Sequence, residues 1–187
     1  HAQPMWFHNG ADSRAITELI AILQRATFDG FAQGPQLAAQ VQAAAALATS
    51  GKADDIAVAD RLLSAAWVEY VEAIKKPTSG MIYAYPVLQP QGSRPDQILL
   101  TAAAAPSLER YLAATANVNP IYAQLRDTAW AEAQASGNLT PDPRLLANLD
   151  RVPPLPSTGR FLLVDSGPSS LTLASNRTRV VSMKLST

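Results

Sequence analysis

Residues 53–76, ADDIAVADRLLSAAWVEYVEAIKK, decide the fold. Ile56, Ala59, Leu63, Ala66, Trp67, Tyr70 and Ile74 recur at three- and four-residue steps, so they share one stripe of an α-helix. Asp54 and Asp55 at its start and Lys75 and Lys76 at its end complement the helix dipole. The spacing predicts a long helix with one buried face, which must pack against other elements of the same kind.

Helical signals continue on both sides. Upstream, residues 10–31 carry Asp12 or Ser13 as an N-cap and Ile16, Leu19, Ile20 and Leu23 on one face, with Gly30 and Gly34 as stops. Residues 35–51 open with Pro35 in a first turn and close at Gly51, a short Ala-rich helix. Downstream, 96–105 and 106–116 read as two short helices, and 119–137 as a longer one. In that last helix Asn119 is the N-cap, Pro120 the first position, Tyr122, Leu125 and Ala129 the inward residues and Gly137 the stop. Residues 144–152 add one or two turns before the Pro-rich stretch PPLPSTG, 153–159, ends all helix.

After Arg160 the character changes. RFLLVDS, SSLTLAS and TRVVSMKLS are short runs of branched residues separated by turn signals, the pattern of a β meander. The fold class read from the chain is therefore mainly α: a compact, bundle-like helical domain followed by a short C-terminal meander. Its expected organisation is a flexible N-terminus at 1–10, a helical scaffold domain at 11–152, and a linker with strands at 153–187.

Composition excludes several functions. Fifteen basic residues balance fifteen acidic ones, so net charge gives no footprint for nucleic acid. No apolar run reaches the roughly 18–20 residues that span a bilayer. The chain has no cysteine, which removes disulfides, thiolate metal sites and cysteine nucleophiles together. The two histidines, His1 and His8, both lie near the start and cannot assemble a triad or a metal site in the body. Phosphate-cradling glycine motifs are absent. The reading assigns no catalytic residue, cofactor or metal.

The remaining candidates are few. Asp54/Asp55 read as helix capping and Glu69/Glu72 as a solvated face, which leaves a carboxylate-based hydrolase the least favoured function. Trp67 and Trp130 sit beside apolar stripes and read as core, although these and Trp6 could furnish stacking surfaces for sugars. The sequons at Asn138 and Asn176 are short enough to arise by chance. The Pro- and Gly-rich segment 77–95 forbids a long helix and implies an extended loop, in which Met81, Tyr83 and Tyr85 alternate onto one side. Tyr83 and Tyr85 are the candidate contact with a glycan or a partner protein. The N-terminal HAQP has the small residues that often flank a signal-peptidase cleavage point, which points to a trimmed export signal.

Three stretches taken in order carry a resemblance. ADRLLSAAWVEYVEAIKKPTSG (59–80), VNPIYAQLRD (118–127) and LLANLDRVPPLPSTGRFLLVDSGPSSLTLA (145–174) resemble the N-terminal helical scaffold region of large exported bacterial L,D-transpeptidases and its junction into the catalytic domain. The resemblance implies a periplasmic, cell-wall protein whose relatives cross-link peptidoglycan by attacking a tetrapeptide donor stem with a cysteine. It also implies that the strands after Arg160 are the opening strands of a catalytic domain. The family's S-x-G-C nucleophile motif is absent, and VDSGPSS stands where the family often has VNIPAF. The chain itself thus lacks the thiolate of that reaction, and a longer parent protein would supply it. The expected partners are peptidoglycan, another periplasmic protein, or that catalytic domain. The competing expectation is a freestanding periplasmic adaptor with no cell-wall chemistry.

Overall fold

In the computed structural model the long central helix, here α3, spans Ala53–Lys75. Ala59, Leu63, Ala66, Trp67, Tyr70 and Val71 line its buried face, and Ile56 and Ile74 are half-buried at its two ends. The structure describes residues 4–8, 10–75 and 93–150, and the backbone of 161–165, 170–175 and 179–184. The described residues form six more α-helices: α1 (Ser13–Arg25), α2 (Gly34–Ala48), α4 (Pro95–Ala103), α5 (Leu108–Ala116), α6 (Pro120–Ser136) and α7 (Pro143–Asp150). None of the described helices is long and apolar enough to cross a membrane.

Local chemistry sets the helix ends. Asp12 is the N-cap of α1, its carboxylate accepting the Ala15 N–H at 3.1 Å. Ser107 and Asn119 accept in the same way from Arg110 and Tyr122 at the starts of α5 and α6. Gly137 closes α6 in the left-handed conformation that glycine tolerates best. α1 does not run on to Gly30 as one helix. It tightens after Arg25 into a short 3-10 helix, Ala26–Asp29, which Gly30 ends at φ 79°. That turn points Phe28 and Asp29 inward, and the site below depends on it.

The first five helices close into a ring. α1 packs on α2, α2 on α3, α3 on α4, α4 on α5, and α5 returns to α1. Their apolar faces form one core, with Leu19, Ile22, Leu23, Val41, Leu63, Trp67 and Leu112 fully excluded from solvent. Burying each such side chain stabilises the fold by about 1.5–3 kcal/mol. On α1, Ile22 takes a core position while Ile20 is only half-buried, so the packed stripe is rotated slightly from the one read in the sequence.

The α1–α2 crossing is close enough to demand a glycine. A Cβ on Gly34 would lie 2.5 Å from both the Ala26 Cβ and the Leu23 carbonyl oxygen. Gly34→Ala is therefore expected to lower stability by about 1–3 kcal/mol, read as the midpoint shift in urea. An unchanged midpoint would mean that α2 can move away at no cost.

Within the segment expected to be a flexible N-terminus, Trp6 is fully buried. Its backbone N–H donates to Asp60 Oδ1 at 2.8 Å and its indole N–H to Ser64 Oγ at 3.0 Å. A large aromatic whose polar edge finds partners contributes enough to hold a short strap in place. At the other end of the chain, Phe161–Asp165, Ser170–Ser175 and Arg179–Lys184 pair antiparallel in that order. How this segment seats on the helical body or on another chain lies outside the described residues.

Candidate functional site

The most distinctive chemistry is a buried polar network centred on Asp29. Its carboxylate accepts the Tyr70 hydroxyl of α3 on Oδ2 at 3.0 Å and the Tyr122 hydroxyl of α6 on Oδ1 at 2.9 Å. The Arg126 guanidinium of α6 stands 3.3 Å from Oδ1, both side chains being closed to solvent. Arg126 also donates to the Ala116 carbonyl at 2.7 Å, to Asn117 Oδ1 at 3.0 Å and, through Nε, to Asp127 Oδ1 at 2.8 Å. One residue of the 3-10 helix thereby links α3, α6 and, through Arg126, the end of α5.

Burial acts to raise the Asp29 carboxyl above its usual 3.8. Arg126, the Tyr122 and Tyr70 hydroxyls and Arg25 pull it back only in part. Burial by itself would lower the Arg126 pKa, but Asp29 and Asp127 more than offset that, and the guanidinium stays charged. Tyr70 is held far above its usual range by burial and by the neighbouring carboxylate, so its hydroxyl remains a donor. A charge pair that is desolvated and fully hydrogen-bonded is suited to fixing geometry. Solvent cannot reach it to react.

Two surface clefts accompany the network. One, of about 610 Å³, lies between the N-terminal strap and the α4–α5 corner and is lined by Met5, His8, Asp12, Ala103, Pro106 and Ser107. The Asp12 carboxylate and Ser107 hydroxyl there already cap helices, and His8 is exposed. The other, an open groove of about 560 Å³ between α3 and α4, includes Asp60, Ser64, Val68, Glu69, Pro95 and Leu99. Burial raises the Asp60 carboxyl, with the Trp6 and Met5 backbone N–H groups opposing. Among the described residues no three His, Cys, Asp or Glu side chains converge as metal ligands.

The residues singled out in the sequence fall elsewhere. Tyr83 and Tyr85 lie outside the described residues. Asp55 accepts the Ser50 hydroxyl at 2.7 Å beside the start of α3, and Glu69 and Glu72 are exposed on its outer face. Trp67 is core, and Trp130 packs edge-on against Phe28 with ring centroids 5.3 Å apart. Sequence reasoning missed Asp29 and Arg126. The available signal was Arg126 itself, four residues after the inward Tyr122 and so on the same helical face.

A family model described as Scaffold domain matches residues 1–128, more than half of the 187. No curated protein and no solved structure matches. The matched span contains the strap, the five-helix ring and every member of the Asp29 network.

Proposed function

The chain belongs to the Scaffold domain family, and on that premise we propose that it is the non-catalytic scaffold portion of an exported, L,D-transpeptidase-like protein that serves peptidoglycan cross-linking or remodelling in the periplasm. The observation that carries this reading is the overlap of the family match over residues 1–128 with two stretches, 59–80 and 118–127, that resemble the scaffold of those enzymes, followed beyond the match by a third, 145–174, that resembles its junction. The chemistry of the helical body supports it. Its most deeply buried ion pair, Asp29 and Arg126, is closed to solvent on both sides, as suits a part that holds geometry while another domain reacts. With no cysteine in the chain, the nucleophile belongs to the domain that the body positions.

The test is made in the native source. Disrupting the reading frame that encodes this chain is expected to deplete the muropeptide cross-links made by cysteine-dependent transpeptidation. An antibody to the chain should then detect, in the undisrupted source, a product heavier than 19.9 kDa. An unchanged muropeptide profile overturns the peptidoglycan reading. If the profile is unchanged but the chain co-purifies with one periplasmic protein, the adaptor reading replaces it.

A further inference from the structure

The apolar core of the five-helix ring draws on the strap and on α1 to α5, and none of its buried members comes from α6 or α7. These two helices pack on one another and reach the ring through the 3-10 helix Ala26–Asp29. Their own buried side chains, among them Ile121, Ala133 and Leu149, lie outside that core. Among the described residues, the Asp29–Arg126 network and the Phe28–Trp130 ring contact join the two parts, with α7 also packed on the 3-10 helix.

The connection between α5 and α6 is strained. Val118 has φ 46°, a left-handed conformation that a β-branched residue rarely adopts and that stores energy in the backbone. It is flanked by groups that Arg126 holds: the Ala116 carbonyl and the Asn117 side chain on one side, and on the other the helix that Arg126 itself belongs to. On α7, Asn148 Oδ1 is buried with no hydrogen-bond partner among the described residues, a cost that the folded arm carries.

From these observations we infer that α6–α7 is a docked arm with its own opening equilibrium, latched to the ring by the Asp29–Arg126 pair and turning about Val118. Opening relieves the Val118 strain and leaves the ring core intact. The latch therefore sets the orientation, relative to the ring, of the chain that continues beyond Asp150. This property does not depend on what the following segment does.

Hydrogen exchange by mass spectrometry on the full chain, in water and in urea below the unfolding transition, tests the inference. In the unmodified protein, amides of α6 and α7 are expected to exchange on the order of 10-fold or more faster than the interior of α1 and α3, with weaker urea dependence. Arg126→Met should raise exchange by a further ~100-fold or more in α6 and α7 while α1 and α3 keep their rates. Equal rates and equal urea dependence across all helices of the unmodified protein overturn the arm, whether or not the variant folds. An arm that opens independently but ignores Arg126→Met overturns the latch.

Discussion

Arg126→Met is expected to weaken the hold on α6 and α7 by about 3–5 kcal/mol, the usual cost of removing one partner from a desolvated ion pair. The pair is closed to solvent on both sides, so water cannot replace what the substitution removes. Asp29 would keep its two tyrosine donors but lose its counter-charge. In a urea titration followed by circular dichroism, the loss should emerge as an early transition carrying the helicity of α6 and α7, ahead of the unfolding of the ring. Asp29→Asn should do less harm, about 1–3 kcal/mol, because an amide oxygen still accepts one tyrosine hydroxyl and Arg126 retains Asp127, Asn117 and the Ala116 carbonyl. The double variant should be milder than the sum of the singles by about 1–3 kcal/mol, since the second change removes a charge already orphaned. Strictly additive effects would mean that the two groups stabilise the fold independently and that the network is no latch.

The contrast between this network and the rest of the fold shows what a sequence can disclose. α3 was legible because its pattern is local: a stripe at 3.6-residue spacing, with acids at the start and lysines at the end, needs no knowledge of its neighbours. The same holds for α6, where Asn119, Pro120 and Gly137 announce both ends. Asp29 and Arg126, by contrast, are 97 residues apart. Nothing near Asp29 in FDGF distinguishes a carboxylate that will be buried from one that ends a helix in water. The inward positions on α6 were read as apolar, Tyr122, Leu125 and Ala129, yet Leu125 and Ala129 are only half-buried and Arg126 takes the deepest place. A guanidinium goes inside only where partners await it, and those partners are supplied by the fold. The tyrosine pair Tyr83/Tyr85 rested on a different argument, the openness of a Pro-rich loop, which lies outside the described residues.

Trp6→Ala is the second large effect, an expected loss of about 3–5 kcal/mol for truncating a fully buried tryptophan. The local sequence, PMWF at residues 4–7, is apolar but without periodicity, and nothing in it identifies the partners of this anchor. Its socket is written in α3, where Asp60 and Ser64 stand one turn apart and receive the backbone N–H and the indole N–H of the same residue. The damage should travel beyond the cavity. The Trp6 carbonyl accepts the Asp12 N–H at 2.9 Å, and the Asp12 carboxylate caps α1 at Ala15. Releasing the strap thus loosens the cap of a helix whose inner face fills the core. Ser64→Ala isolates the hydrogen bond, with an expected cost of about 1 kcal/mol, and Trp6→Phe loses that bond plus part of the indole ring, with an expected cost of about 1–3 kcal/mol. Adding Ser64→Ala to Trp6→Phe should cost little more because both delete the same hydrogen bond. These changes would be measured as urea midpoints on the full chain. If Trp6→Ala stayed within about 0.5 kcal/mol of the unmodified protein, as surface substitutions do, the strap would be ornamental to stability and the ring of five helices would stand without it.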